Sequence, residues 1–225
     1  MKKIGILALT LTLLFCLSGC NVFNVTNQIL GSNQVDSDAA DKDVESGKIS
    51  LGEVENHTYR NDSFGISCTL TDEWVFLSHE EILSVNSLSA ELMGDELAQQ
   101  IADAPILYDM TANNPVTGAS ITVNMEKITI LQAATLDLKA TLESQFEGIR
   151  TGLSNIGYAD VTITYEKVEV GGRQYDGATV HATIQGIDFY EVIFCYRQGQ
   201  YIVNVTIGTL QTDTTADLLS TFAID

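Results

Sequence analysis

The chain is 225 residues long, with 30 acidic against 11 basic residues and a formal net charge of −19 at neutral pH. A surface of that sign is repelled by phosphate backbones and anionic headgroups, so no nucleic-acid partner and no basic membrane patch is expected. Colloidal stability is the ordinary role of such acidity.

The chain opens with the cationic Met1-Lys2-Lys3, followed by an apolar run from Ile4 to Phe15. That run is too short to cross a hydrocarbon core of ~30 Å, which takes about 20 helical residues. It has the length of the apolar core of an export signal. Leu17-Ser18-Gly19-Cys20 follows and resembles the lipobox of bacterial lipoproteins: an aliphatic residue, two small residues at the cut, then the cysteine whose thiol accepts the lipid. The expectation is therefore a signal peptide over 1–19, cleavage between Gly19 and Cys20, and acylation of Cys20. Two acyl chains make a stable anchor where one binds marginally. No other segment reaches transmembrane length. The predicted location is the outer face of the cytoplasmic membrane, or the outer membrane where the envelope has two.

Of the four cysteines, Cys16 leaves with the signal and Cys20 is acylated. Cys68 and Cys195 remain, either as a disulfide, which this compartment permits, or as two buried thiols. No CxxC or Cys/His cluster occurs, so neither a metal site nor a cofactor is expected. Asn24, Asn56, Asn61 and Asn204 each open an Asn-x-Ser/Thr triplet, which a bacterial lipobox makes a matter of chance.

Residues 20–56 are polar and aperiodic and read as a lipid-anchored linker. Flexible-coil scaling over about 36 residues gives an end-to-end distance of roughly 33 Å. Asp36, Asp38, Asp41 and Asp43 lack the turn glycine and closing glutamate of a calcium loop, leaving a solvated linker. The folded domain is assigned to 57–225. Alternation from Tyr59, with Phe64, Ile66, Cys68 and Leu70 on one face, predicts a strand ending before Trp74. Ser78-His79-Glu80-Glu81 has the form of a capping box, and Ile82, Val85, Leu88 and Leu92 continue at helical spacing. A second short helix runs from Asp95 towards Ala102, stopped by Pro105. Strands follow at Ile106–Ala112 and about Ala119–Ile128. Leu138, Leu142, Phe146, Ile149 and Leu153 then form the stripe of one long helix closing near Gly157.

Gly171-Gly172, Gln185-Gly186 and Gln198-Gly199 read as two-residue hairpin turns and set the register of a four-stranded antiparallel meander from about Asp160 to Gly208. One face carries Val168, Tyr175, Tyr190, Val192, Phe194 and the odd-numbered residues from Tyr201 to Ile207. The other carries Val161, Ile163, Tyr165, Val180, Phe189, Ile193, Cys195 and Ile202. Both faces are apolar and need cover, for which the helices are available. A last helix, capped by Asp213 or Thr214, carries Leu218, Leu219 and Phe222. The predicted fold is α/β (α+β): an α/β/α sandwich with a mainly antiparallel sheet and helices on both faces.

The run Tyr59-Arg60-Asn61-Asp62-Ser63-Phe64-Gly65-Ile66-Ser67-Cys68, leading to Trp74, resembles the opening of PsbP-like domains. A Tyr108-Asp109 strand, a long helix and a closing meander with a terminal helix follow in the same order. Thr71 departs from the pattern, which usually has proline there. The resemblance spans roughly residues 57 to 225. It implies an α/β/α sandwich that binds or assembles, and it places no functional residue.

The catalytic inventory is sparse. His79-Glu80-Glu81 has no second histidine at metalloprotease spacing and suits the first turn of a helix. His181 falls opposite Tyr190, as a packed or hydrogen-bonded sheet histidine. Cys195 falls opposite Asp176 and Ile202, away from His181, so no Cys-His nucleophile is read. No Gly-x-Ser-x-Gly, phosphate loop or dinucleotide fingerprint occurs. Trp74, Tyr59 and Phe64 read as core anchors before pocket walls. The expected function is a non-enzymatic, membrane-tethered protein-interaction or assembly module with an envelope or surface protein as partner. The alternative is a small-ligand or lipid-binding lipoprotein with a cleft around Ser78 to Ala104.

Overall fold

The computed structural model describes residues 49–89, 91 and 94–225. The expected signal over 1–19 with Gly19, the expected lipidation residue Cys20, the expected linker up to residue 48 and Leu92 lie outside the described residues. Eleven strands and five helices follow in the order β1 (Glu53–Glu55), β2 (Thr58–Asn61), β3 (Ile66–Thr69), β4 (Val75–Phe76), α1 (His79–Val85), α2 (Gly94–Asp103), β5 (Ile106–Asn113), β6 (Ser120–Lys127), α3 (Ile130–Thr135), α4 (Leu138–Asn155), β7 (Tyr158–Val170), β8 (Arg173–Ile184), β9 (Ile187–Gln198), β10 (Tyr201–Leu210), α5 (Thr215–Leu219) and β11 (Phe222–Ile224). Seven strands form the main sheet in the order β4-β5-β6-β10-β9-β8-β7, and β1-β2-β3-β11 form a small second sheet. The class is mixed α+β, mainly antiparallel, with the C-terminal meander the turns predict.

The first two turns close as read, with Val170 opposite Arg173 and Ile184 opposite Ile187. The third sits one residue later. Tyr201 pairs with Gln198, so Gly199 and Gln200 are the central residues and Cys195 lies opposite Asn204 rather than Ile202. Gly199 takes φ +58° at the first central position, the sign a type II′ turn needs and a glycine supplies. The slip moves each partner by two residues, which preserves the side-chain faces.

Those faces build two cores. Val192, Phe194, Tyr196, Val203, Val205 and Ile207 meet Tyr59, Phe64, Ile66 and Cys68 of the small sheet, with Ile82, Leu83, Ile101 and Phe222. This face is thus covered by a second sheet as well as by helices. Phe222, read as the end of a helix, instead belongs to β11, which pairs with β3. On the other face Leu142, Ile149 and Leu153 of α4 cover Val180, Ala182, Phe189, Ile193, Cys195 and Ile202. That face is apolar over β7 to β9 and at Ile202 of β10. Towards the other edge it carries Asn204 opposite Asn124 and Thr206 opposite Thr122.

The strand read from Tyr59 onward is a hairpin, β2 pairing β3. Residues 49–56, which composition assigns to the linker, pack into the fold: Ile49 and Leu51 are buried, and β1 pairs β2. The Ser78–Glu81 capping box forms, but α1 ends at Val85. The Asn86 amide stops it, bonding Ile82 O (2.9 Å) and both the N–H (2.8 Å) and C=O (2.6 Å) of Tyr108 on β5.

Candidate functional site

Beside the Asn86 contact, the β5–β6 register shifts between Tyr108 and Met110. A bulge of this kind re-aims a side chain. Asp109, 3% exposed and two residues on from the core residue Leu107, points towards the small sheet, and the bulge returns Met110 and Ala112 to that same face. The Asp109 carboxylate accepts hydrogen bonds from the Tyr59 hydroxyl, Asn61 Nδ2 (2.7 Å) and the Gly52 amide (2.6 Å). Burial raises the Asp109 pKa and the three donors oppose that rise; burial also pushes Tyr59 well above its ordinary value, with the Asp109 charge second. Asn61 also bonds Ser50 O and receives the Ser63 amide. This cluster ties the Tyr59–Gly65 motif to the main sheet. Its groups are saturated and buried, so its work is structural.

Accessible chemistry gathers on the main sheet beyond the small sheet. A hollow of about 240 Å³ is lined by Thr162, Thr164, Thr179, His181, Tyr190 and Asp213, among others. The volume is below the ~300–1,000 Å³ of drug-sized sites. His181 lies opposite Tyr190 as the sequence predicts, with ring centroids 5.0 Å apart. Its Nε2 is 3.2 Å from Asp188 Oδ1, and both side chains are about half exposed, at 46% and 50%. Asp213 Oδ1 accepts from the Thr215 amide (3.0 Å) and hydroxyl (2.7 Å), fixing the entry to α5. Thr214 makes no side-chain cap bond, so Asp213 is the bonding residue of the two. Val180 and Glu191 pair across the floor, and strand alternation turns their side chains to the far face.

The other singled-out residues fall elsewhere. His79 is exposed in the first turn of α1, and Trp74 is a core residue. Cys68 and Cys195 are free and buried in different cores, on opposite faces of the main sheet, which precludes a disulfide between them. Burial pushes the Cys68 thiol up to about 11 and the Cys195 thiol to about 12. Cys195 and His181 also point to opposite faces, so they form no dyad. Around Ser78 to Ala104, α1 and α2 pack Ile82, Leu83 and Ile101 into the first core, and the hollow lies elsewhere. Among the described residues no group of three His, Cys, Asp or Glu could hold a metal ion, and no helix is long and apolar enough to cross a membrane.

Sequence reading missed a buried acid, Glu191, and a half-buried one, Glu126. Glu191, 6% exposed, has its carboxyl pushed up to about 8, and Glu126 is pushed up to about 7, each by burial. The Thr111 and Thr206 hydroxyls are also buried, with no hydrogen-bond partner among the described residues. A charged or polar residue at an inward position of a strand was the available signal.

The fold defines a mixed α+β domain with two antiparallel sheets and a polar surface hollow. No family model and no curated protein matches the chain, so the PsbP-like resemblance rests on its motif and element order. Among solved structures, LpqN, involved in cell envelope biogenesis of Mycobacterium tuberculosis, is similar with a TM-score of 0.34 and 10% identity, over 68% of this chain and 75% of that chain.

Proposed function

We propose that this chain is a lipid-anchored, extracytoplasmic bacterial lipoprotein whose folded part is a non-catalytic protein-interaction or assembly module resembling PsbP-like domains. The observation that carries this reading is the N-terminal succession of cationic residues, short apolar run and Leu17-Ser18-Gly19-Cys20. The state of the reactive groups supports it: both thiols of the folded part are buried with raised pKa values, and His181 faces solvent rather than a nucleophile. In-cell crosslinking of the tagged chain followed by mass spectrometry, with Cys20→Ala as control, tests it. A specific envelope partner that disappears with Cys20→Ala is the expected outcome. A hydrolytic activity abolished by one point substitution would overturn the reading. The hollow around His181 and Tyr190 favours a second reading, a small-ligand-binding lipoprotein. Failure of both forms to yield a partner would bring that reading forward.

A further inference from the structure

The main sheet ends on β7, a strand of 13 residues whose one strand neighbour among the described residues is β8. In a two-residue hairpin the flanking pair, here Val170 and Arg173, exchanges both backbone hydrogen bonds, and alternate residues repeat that pattern. Val168, Glu166, Thr164 and Thr162 therefore bond to β8. Ile163, Tyr165 and Lys167 turn their N–H and C=O groups outward.

Open edges invite pairing, and proteins guard them with bulges and charges. On β7 a bulge between Ala159 and Thr162 guards one end, where Asp160 sits at φ +55°, and Glu166, Lys167 and Glu169 guard the other. Between them Val161-Thr162-Ile163-Thr164-Tyr165 carries no charge, and its two threonines are exposed. A second copy is a poor occupant. Pairing this run antiparallel with itself about Ile163 brings Asp160, at the bulge, up to Glu166 at both ends, and like charges brought together destabilise the pairing.

We propose that the β7 edge binds an extended segment of a partner protein as an added strand, with basic side chains opposite Asp160 and Glu166. The assignment rests on the interaction-module reading and locates its docking site. The strand ladder supplies affinity, and the two acidic ends supply register and charge preference.

The test uses the full lipoprotein in detergent micelles and a fluorescein-labelled seven-residue peptide, Lys-Val-Thr-Val-Thr-Val-Lys, followed by anisotropy. A peptide with glutamate in place of both lysines is the control. The expected result is saturable binding of the lysine peptide, slowed amide exchange at Ile163 and Tyr165, and weaker binding of the control. Ile163→Pro removes an outward N–H without touching the β8 ladder and should weaken binding about tenfold or more. Glu166→Lys, at an exposed site, should weaken the lysine peptide about three- to fivefold and strengthen the control. This charge swap decides the matter if Ile163→Pro fails to fold. Absence of binding, equal binding of both peptides, or binding unmoved by the variants overturns the proposal. A concentration-dependent dimer abolished by Ile163→Pro also overturns it and assigns the edge to a second copy. A crosslinked envelope partner retained through any of these failures leaves the interaction-module reading standing and moves its docking surface elsewhere.

Discussion

Glu191 shows how much one inward-facing residue can decide. Its carboxyl is buried and holds its proton up to about pH 8, against an ordinary value of 4.5. A folded-state pKa above the unfolded one means that the stability it contributes is complete below about pH 4.5 and is lost as pH rises through about 8. The melting temperature should therefore fall between pH 5 and pH 9. Glu191→Gln should flatten most of that fall, leaving the variant roughly 3–5 kcal/mol better off at pH 9 than the wild-type trend. Glu126 acts in the same direction, through about pH 7, and should leave a residual slope. A pH-independent melting temperature in the wild type would show that Glu191 is not buried as described. Alternation places residue 191 on a face, but it cannot say that a carboxyl there is desolvated. The same holds for Asp109. Alternation puts Asp109 on the face of Leu107, and only the folded chain brings three donors to it there.

Among the elements, the meander was the most legible because turn chemistry and alternation agree across β7 to β10. Its one discrepancy, the slip at Gly199-Gln200, shows the limit: two turns one residue apart preserve the same faces, and side-chain periodicity cannot tell them apart. The close approach of neighbouring strands was equally hidden. A Cβ on Gly177 would lie 2.5 Å from Val168 Cγ2 and 2.6 Å from Ile193 O. Because one of those contacts is backbone, Gly177→Ala must part β8 from β9. It should cost about 1–3 kcal/mol or more in urea unfolding, in spite of the gain in intrinsic strand preference. An unchanged midpoint would mean that the strands can yield there. Elsewhere long-range contacts overrode local pattern. The apolar spacing that continues to Leu88 predicted a longer α1, but the Asn86 amide finds better partners on β5. Phe222 leaves its helical stripe for a strand pairing with β3. The helix α3, with its own Thr129–Gln132 capping box, went unread because it buries no residue and presents no stripe.

For the whole molecule, the prediction concerns the anchor. Radiolabelled palmitate should enter the chain in a producing cell and fail to enter Cys20→Ala, with the variant moving from the membrane fraction to the soluble one. Label retained in the variant would refute acylation at Cys20. That expectation comes from the sequence alone, since an export signal and its lipobox are read locally by charge, length and small residues. The mixed α+β class, the fully apolar face of the meander and the stripe of α4 were also legible, because each is a short-range periodicity that any packed chain must respect. Which layer covers which face was decided only in three dimensions. The small sheet joins β11 to β3, with Phe222 opposite Cys68, and beside that pair Cys68 Sγ meets Thr221 Oγ1 at 3.2 Å across 153 positions of sequence. The buried acids, the hollow beside His181 and the outer edge of β7 likewise follow from which distant strands become neighbours. Local pattern can state that a surface must be buried, but the partner that buries it is chosen by the sum of contacts over the folded chain.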